Sequence, residues 1–156
     1  MQGCLEHAAD ELRILNRIVR RTEAGYECEA DQRHAEMLIA GAGLDPDSRV
    51  LSMPGRKLTS KELEAEPEAL EAQEATSFRA MAARANFLAS DRPDIAFTVK
   101  ELCRGMSAPT SRDAESLKRL CRYLLGRPRL IIYFGWQDAP NSLDVFSDSD
   151  WAGCIR

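Results

Sequence analysis

Residues 110–126 read Thr-Ser-Arg-Asp-Ala-Glu-Ser-Leu-Lys-Arg-Leu-Cys-Arg-Tyr-Leu-Leu-Gly, and this stretch decides the fold. Ala114, Leu117, Leu120, Cys121, Leu124 and Leu125 recur at the three- and four-residue steps of one helical face. Thr110 with Asp113 three residues on makes a capping-box-like start, Asp standing where Glu or Gln is usual. Gly126 and Pro128 stop the helix. Upstream, Ile95, Val99, Leu102, Cys103 and Met106 repeat on one face after Asp91-Arg92-Pro93, and Pro93 suits a first helical turn. Before that, Phe78, Met81, Ala82, Ala85, Leu88 and Ala89 line a further helix. Three neighbouring amphipathic helices with short connections imply a small bundle.

The flanks change period. Residues 12–21 and 25–30 surround Thr22-Glu23-Ala24 and read as a β-hairpin with a half-exposed second strand. Asp31 is placed to cap a helix over 32–42, with His34, Met37, Leu38 and Gly41 on one face and Gly41 and Gly43 at its end. Residues 45–56 are turn-rich, with a short extended piece at Val50–Met53. From 57 to 75 six glutamates and Pro67 give an exposed linker or a solvated helix. Beyond the bundle, Leu130–Phe134 is a continuous apolar run that reads as a buried strand, and the alternation over 143–148 reads as a second one. The fold class expected is α+β: an N-terminal β-hairpin plus helix, a three-helix bundle and a C-terminal β-hairpin that ends like a domain cut short.

Composition bounds the function. The chain has 156 residues, 44% hydrophobic and 29% charged, with net charge −4, ordinary values for a chain with a real core. No run approaches a membrane span and residues 1–10 carry no signal-peptide h-region, so a membrane partner and secretion are not expected and a cytoplasmic or nuclear location is. Five cysteines without a CxxC fit reduced thiols, and with two histidines they give no zinc spacing. Charge is uneven: residues 1–76 hold 9 basic and 16 acidic groups, whereas 78–127 hold 10 and 5. A local basic block is compatible with nucleic acid despite the acidic total.

Two features could carry chemistry. Asp148-Ser149-Asp150 at a strand end offers hard oxygen ligands to Mg²⁺. The same pair also fits turn aspartates that accept from loop amides. Lys118 and Arg122 lie four apart with Arg119 beside them, and with Lys100, Arg104, Arg112 and Arg127 they could track a phosphate backbone. An ordinary solvated helix face accounts for them equally well. There is no GxGxxG, P-loop or GxSxG. For Arg92-Pro93-Asp94, a helix start is sufficient reason.

The order of several stretches resembles the copia-type retrotransposon Pol polyproteins. They are Phe78-Arg79-Ala80, Asn86-Phe87-Leu88-Ala89, Asp91-Arg92-Pro93-Asp94-Ile95-Ala96-Phe97, Met106, Pro109-Thr110, Leu117 to Gly126 and Phe146-Ser147-Asp148-Ser149-Asp150-Trp151-Ala152-Gly153. The likeness covers 78–153 well and 14–55 more loosely.

That resemblance implies the end of a polymerase palm over 1–56, an acidic linker over 57–76, a helical thumb or connection over 77–127 and the start of an RNase H domain over 128–156. It implies Asp148 as a metal-binding catalytic carboxylate, with Asp150 as the alternative two residues on. It also implies RNA/DNA hybrid or other duplex as the ligand of Lys118, Arg119, Arg122, Lys100 and Arg104, and the remainder of the Pol polyprotein as a partner. A parent enzyme of this kind extends DNA on an RNA template and cleaves the RNA of the hybrid with Mg²⁺. The polymerase Y-x-D-D and the later RNase H carboxylates are not in these 156 residues. The chain alone is therefore expected to be catalytically incomplete and to hold no metal tightly. The competing readings are a non-catalytic helical interaction module and a decayed element with no selected function.

Overall fold

A computed structural model describes residues 11–147 of the chain. The element order is β1 (Glu11–Ile14), β2 (Arg17–Thr22), β3 (Gly25–Glu29), α1 (Gln32–Gly41), α2 (Ser60–Glu64), α3 (Ala72–Ala89), α4 (Pro93–Arg104), α5 (Ser111–Gly126) and β4 (Ile131–Gly135). The four strands form one antiparallel sheet in the order β1-β2-β3-β4.

The helical faces read from periodicity are the core. Phe78, Ala82, Ala85 and Leu88 of α3 pack with Ile95, Val99 and Leu102 of α4 and with Leu117, Leu120, Cys121 and Leu124 of α5. Tyr123 joins them from α5. Leu38 and Ala35 of α1 are buried in the same cluster. Met37, expected on that face, is exposed, because Ala35 rather than His34 sets the inward direction. Asp31 caps α1 as expected, its carboxylate accepting from the Arg33 amide at 3.1 Å. The Asp113 carboxylate accepts from the Thr110 amide at 2.9 Å and completes the capping box of α5.

Three expectations are corrected. The stretch 12–21 is not one strand: Leu15 and Asn16, with φ of 50° and 64°, turn the chain between β1 and β2. Two successive positive φ values are those of a tight hairpin turn, which Asn favours and Leu does not. The piece at Val50–Met53 forms no strand, although the Leu51 amide donates to the Arg122 carbonyl at 3.4 Å. The C-terminal hairpin is also replaced. Strand β4 pairs with β3 in the register Gly25↔Gly135 to Glu29↔Ile131, and residues 143–147 carry no strand. The free edge of β3 gives the apolar run 131–134 a full ladder of backbone partners. Leu143, Val145 and Phe146 have no surface against them and stay more than four-fifths exposed.

Gly25 permits that pairing, since a Cβ there would collide with the carbonyl oxygen of Phe134. Arg129 and Arg20 fix the same corner by donating to Glu29, at 2.8 and 3.0 Å. The Arg129 hydrogen bond is the larger of the causes holding the buried Glu29 carboxyl below its usual range. Arg17 of β2 reaches Asp91 at 2.7 Å and ties the sheet to the α3–α4 junction.

The acidic stretch is tied down near its C-terminal end. The Leu70 amide donates to the Pro109 carbonyl at 3.0 Å, and the Ser111 amide donates to Glu68 at 2.8 Å. Leu70 itself packs on the core. Among the described residues no helix is long and apolar enough to cross a membrane.

Candidate nucleic-acid interface

The cations of the α4–α5 region point in different directions. Arg119 follows Lys118 directly and so lies about 100° from it around α5, with Arg122 between the two. It lines a groove of about 360 Å³ between residues 54–58 and the α4–α5 pair. Lys118 lines a separate groove of about 370 Å³ among α1, α3 and α5, where Glu74 is also found. Lys100 is exposed on α4. Arg104 is ion-paired to Glu101 at 2.9 Å. Arg122 is half-buried, with a buried Nε that has no hydrogen-bond partner among the described residues. The single basic face read from the sequence is thus divided, and only Arg119 of the five expected residues lines the groove beside 54–58.

That groove gathers cations the helix pattern does not reveal. Arg56, Lys57 and Arg112 join Arg119 around it. Gly55 brings the 54–58 segment against α4; a Cβ on it would sit 2.9 Å from the Thr98 hydroxyl. The Gly55 carbonyl accepts from Arg119 Nε at 3.2 Å, and that partner is a neutral group. Arg112 donates to the main-chain carbonyls of Glu62 and Ala65, which are neutral groups. Arg56 is different: it forms a two-bond pair with Glu62 at 2.9 and 2.6 Å. That pair is the main cause drawing the Glu62 carboxyl down to about 2, and the Thr59 amide and hydroxyl add to it.

The carboxylates on the lining are already engaged. Asp113 serves the capping box, and Glu101 is paired with Arg104. The groove therefore presents net positive charge from Lys57, Arg112 and Arg119. Phe97 of α4 stands at its edge with 74% of its surface exposed.

Two signals in the sequence point here. Gly55-Arg56-Lys57 places adjacent cations after a flexible residue, and Thr59-x-x-Glu62 is a capping-box pattern. The structure makes that second box: the Glu62 carboxylate accepts from the Thr59 amide at 2.9 Å, and the Glu62 amide donates to the Thr59 hydroxyl at 3.3 Å. Phe97 falls off the apolar face of α4 and gave no signal of its own.

Arg92 and Asp94 lie elsewhere and do structural work. Arg92 is 1% exposed and donates to both oxygens of Asp94 and to the carbonyls of Arg127 and Pro128. Asp148 and Asp150 lie outside the described residues. Among the described residues no cluster of three or more His, Cys, Asp or Glu is placed to hold a metal ion.

Over 125 residues, 78% of its length, the chain is 31% identical to an uncharacterized mitochondrial protein of Arabidopsis thaliana, AtMg00810, covering 48% of that protein. Over 78 residues, half the chain, it is 38% identical to the retrovirus-related Pol polyprotein from transposon RE1 of the same plant. The chain is a homologue of retrotransposon Pol polyproteins. A second such polyprotein, from transposon RE2, is 37% identical over 78 residues. The chain spans about half of the mitochondrial relative and about 5% of each Pol polyprotein. No protein-family profile and no solved structure matches it.

Proposed function

We propose that the chain is a segment of a copia-type Pol polyprotein whose helices grip the template–primer duplex between polymerase and RNase H. The observation that supports this reading is the groove between residues 54–58 and α4–α5, where Lys57, Arg112 and Arg119 carry charge that no lining carboxylate neutralises. Phosphates laid along such a row release counterions, and this is the sequence-independent part of nucleic-acid affinity. Arg119 is the central contact. Lys57 and Arg112 flank it, and Lys100 and Arg104 extend the positive rim along α4. Lys118 serves phosphates on the side of α5 that faces α1 and α3.

In the parent enzyme this segment positions the hybrid. Polymerisation and RNA cleavage need metal-binding carboxylates from several strands at once. In this chain Asp148, with Asp150 as its alternative, is the carboxylate for Mg²⁺ in the RNase H reaction, and partner residues come from the rest of the polyprotein. The chain alone grips without cutting.

The test is fluorescence anisotropy of the purified chain with a labelled blunt RNA/DNA hybrid, between about 50 and 200 mM salt. Binding that weakens steadily with salt, and that Arg119→Glu weakens alike for unrelated sequences, is expected. Binding indifferent to salt, or to Arg119→Glu, would overturn the proposal.

A further inference from the structure

The groove that holds Arg119 also holds a feature that gripping a duplex does not use. Phe97 projects from α4 at its edge and keeps 74% of its surface in solvent. Its neighbours in the α4 sequence Ile95, Thr98 and Val99 are buried, so the helix has a full inward face without it. An aromatic ring left open beside phosphate-binding cations is the arrangement of a stacking platform: the cations hold the backbone and the ring takes a base. The cavity, about 360 Å³, lies near the small end of the range for single small-molecule ligands. A duplex can meet the groove's cations, but its bases present their faces only to each other and offer none to the ring.

We infer that this groove binds single-stranded nucleic acid, with one unpaired base stacked on Phe97 and the flanking phosphates held by Lys57 and Arg119. The inference rests on the reading of the groove as a nucleic-acid interface and narrows its ligand. Duplex touches only the cationic rim, whereas an unpaired strand enters. Arg112, held by the Glu62 and Ala65 carbonyls, forms a fixed wall of the site. The carboxylate of Glu101, which also lines the groove, is turned to Arg104 at 2.9 Å and does not repel the strand.

Three labelled probes with matched phosphate number separate the possibilities: a single-stranded oligonucleotide, the same strand with abasic sugars, and a blunt RNA/DNA hybrid. Phe97→Ala is expected to weaken the single strand about thirtyfold, the middle of the range for loss of one base–aromatic stack. It should leave the abasic strand and the hybrid unchanged, while Phe97→Trp retains single-strand binding. Arg119→Glu should weaken all three. The ring is exposed, so these variants keep the fold, and circular dichroism verifies it. If Phe97→Ala changes no probe, or changes all three equally, the stacking site is wrong although the cationic interface stands. If wild-type chain binds none of the three, both readings fall.

Discussion

Arg92 and Asp94, two residues apart across Pro93, face each other with hydrogen bonds of 2.9 and 2.8 Å, and the guanidinium is almost wholly buried. The pair closes a larger circuit. Arg92 also donates to the carbonyls of Pro128 and Arg127 at 3.2 and 3.0 Å, and the Tyr123 hydroxyl donates to Asp94 at 2.8 Å. The start of α4 is thereby bolted to the end of α5, just where the chain leaves the bundle for β4. Burial pushes the Asp94 carboxyl up, but the hydrogen bonds from Arg92 and Tyr123 outweigh it and hold the group below its ordinary range.

Removing one partner of that pair strands a buried charge. Asp94→Asn is expected to destabilise the chain by about 3 kcal/mol, the lower end for breaking a buried ion pair. Arg92→Lys should be nearly as damaging, since an ammonium cannot reach both carboxylate oxygens and two carbonyls in one plane. Urea denaturation followed by circular dichroism measures both. A loss below about 0.5 kcal/mol, typical of neutral surface changes, would show that the circuit carries no weight.

The same pair sets an acid dependence. Asp94 and Glu29 both have folded-state carboxyls lowered from their usual values. Their stabilising contribution is complete above the unfolded carboxylate range, about pH 4, and fades as pH falls through the lower folded values. Stability measured between about pH 5 and 2 should therefore fall, and Asp94→Asn should flatten the acid limb. An equal slope in the variant would contradict the assignment.

Gly25 makes a separate prediction about the sheet. A methyl group there meets the Phe134 carbonyl oxygen, so Gly25→Ala should detach β4 from β3. Amide hydrogen exchange over 131–135 should quicken by roughly tenfold or more while the helices keep their protection. Unchanged exchange at these amides would mean that β4 is held by something other than this ladder.

Thiol chemistry reports on the core. Burial pushes the Cys121 thiol up to about 12 and raises Cys103 as well. Half-exposed Cys28 is therefore expected to react with iodoacetamide before either, and Cys121 only on unfolding, because the thiolate is the reacting form. Peptide mass spectrometry over a time course reads the order.

Much of this architecture is legible in the sequence, and the reason is periodicity. The three long helices bury the residues that their 3.6-residue pattern selects, and Asp31, Pro93 and Thr110 stand at helix starts as their chemistry demands. What is not legible depends on distant partners. Leu130–Phe134 reads as a buried strand, but Ile131, Tyr133 and Phe134 are exposed because β4 lies at the edge of a sheet with little packed on it. Which edge it joins is decided by Gly25, more than a hundred positions earlier. The turn at Leu15-Asn16 is hidden because Leu has no preference for positive φ. For the site, Arg119 is found from its helix, whereas Lys57 and Phe97 join it only once Gly55 brings the 54–58 segment against α4. A helical wheel of α5 already sets Arg119 apart from Lys118, and the packing of α1 and α3 puts Lys118 on a separate groove.

The most direct test of the account compares charge reversal on the two sides of α5. Lys57→Glu with Arg119→Glu alters the groove beside residues 54–58, and Lys118→Glu alters the other. Each is titrated with a labelled RNA/DNA hybrid at about 100 mM salt, where phosphate contacts still dominate. The account predicts that the Lys57/Arg119 variant loses most of its affinity and that its salt slope falls by about 2, one for each contact, whereas Lys118→Glu loses far less. Equal losses, or a greater loss for Lys118→Glu, would contradict the placement of nucleic acid in this groove.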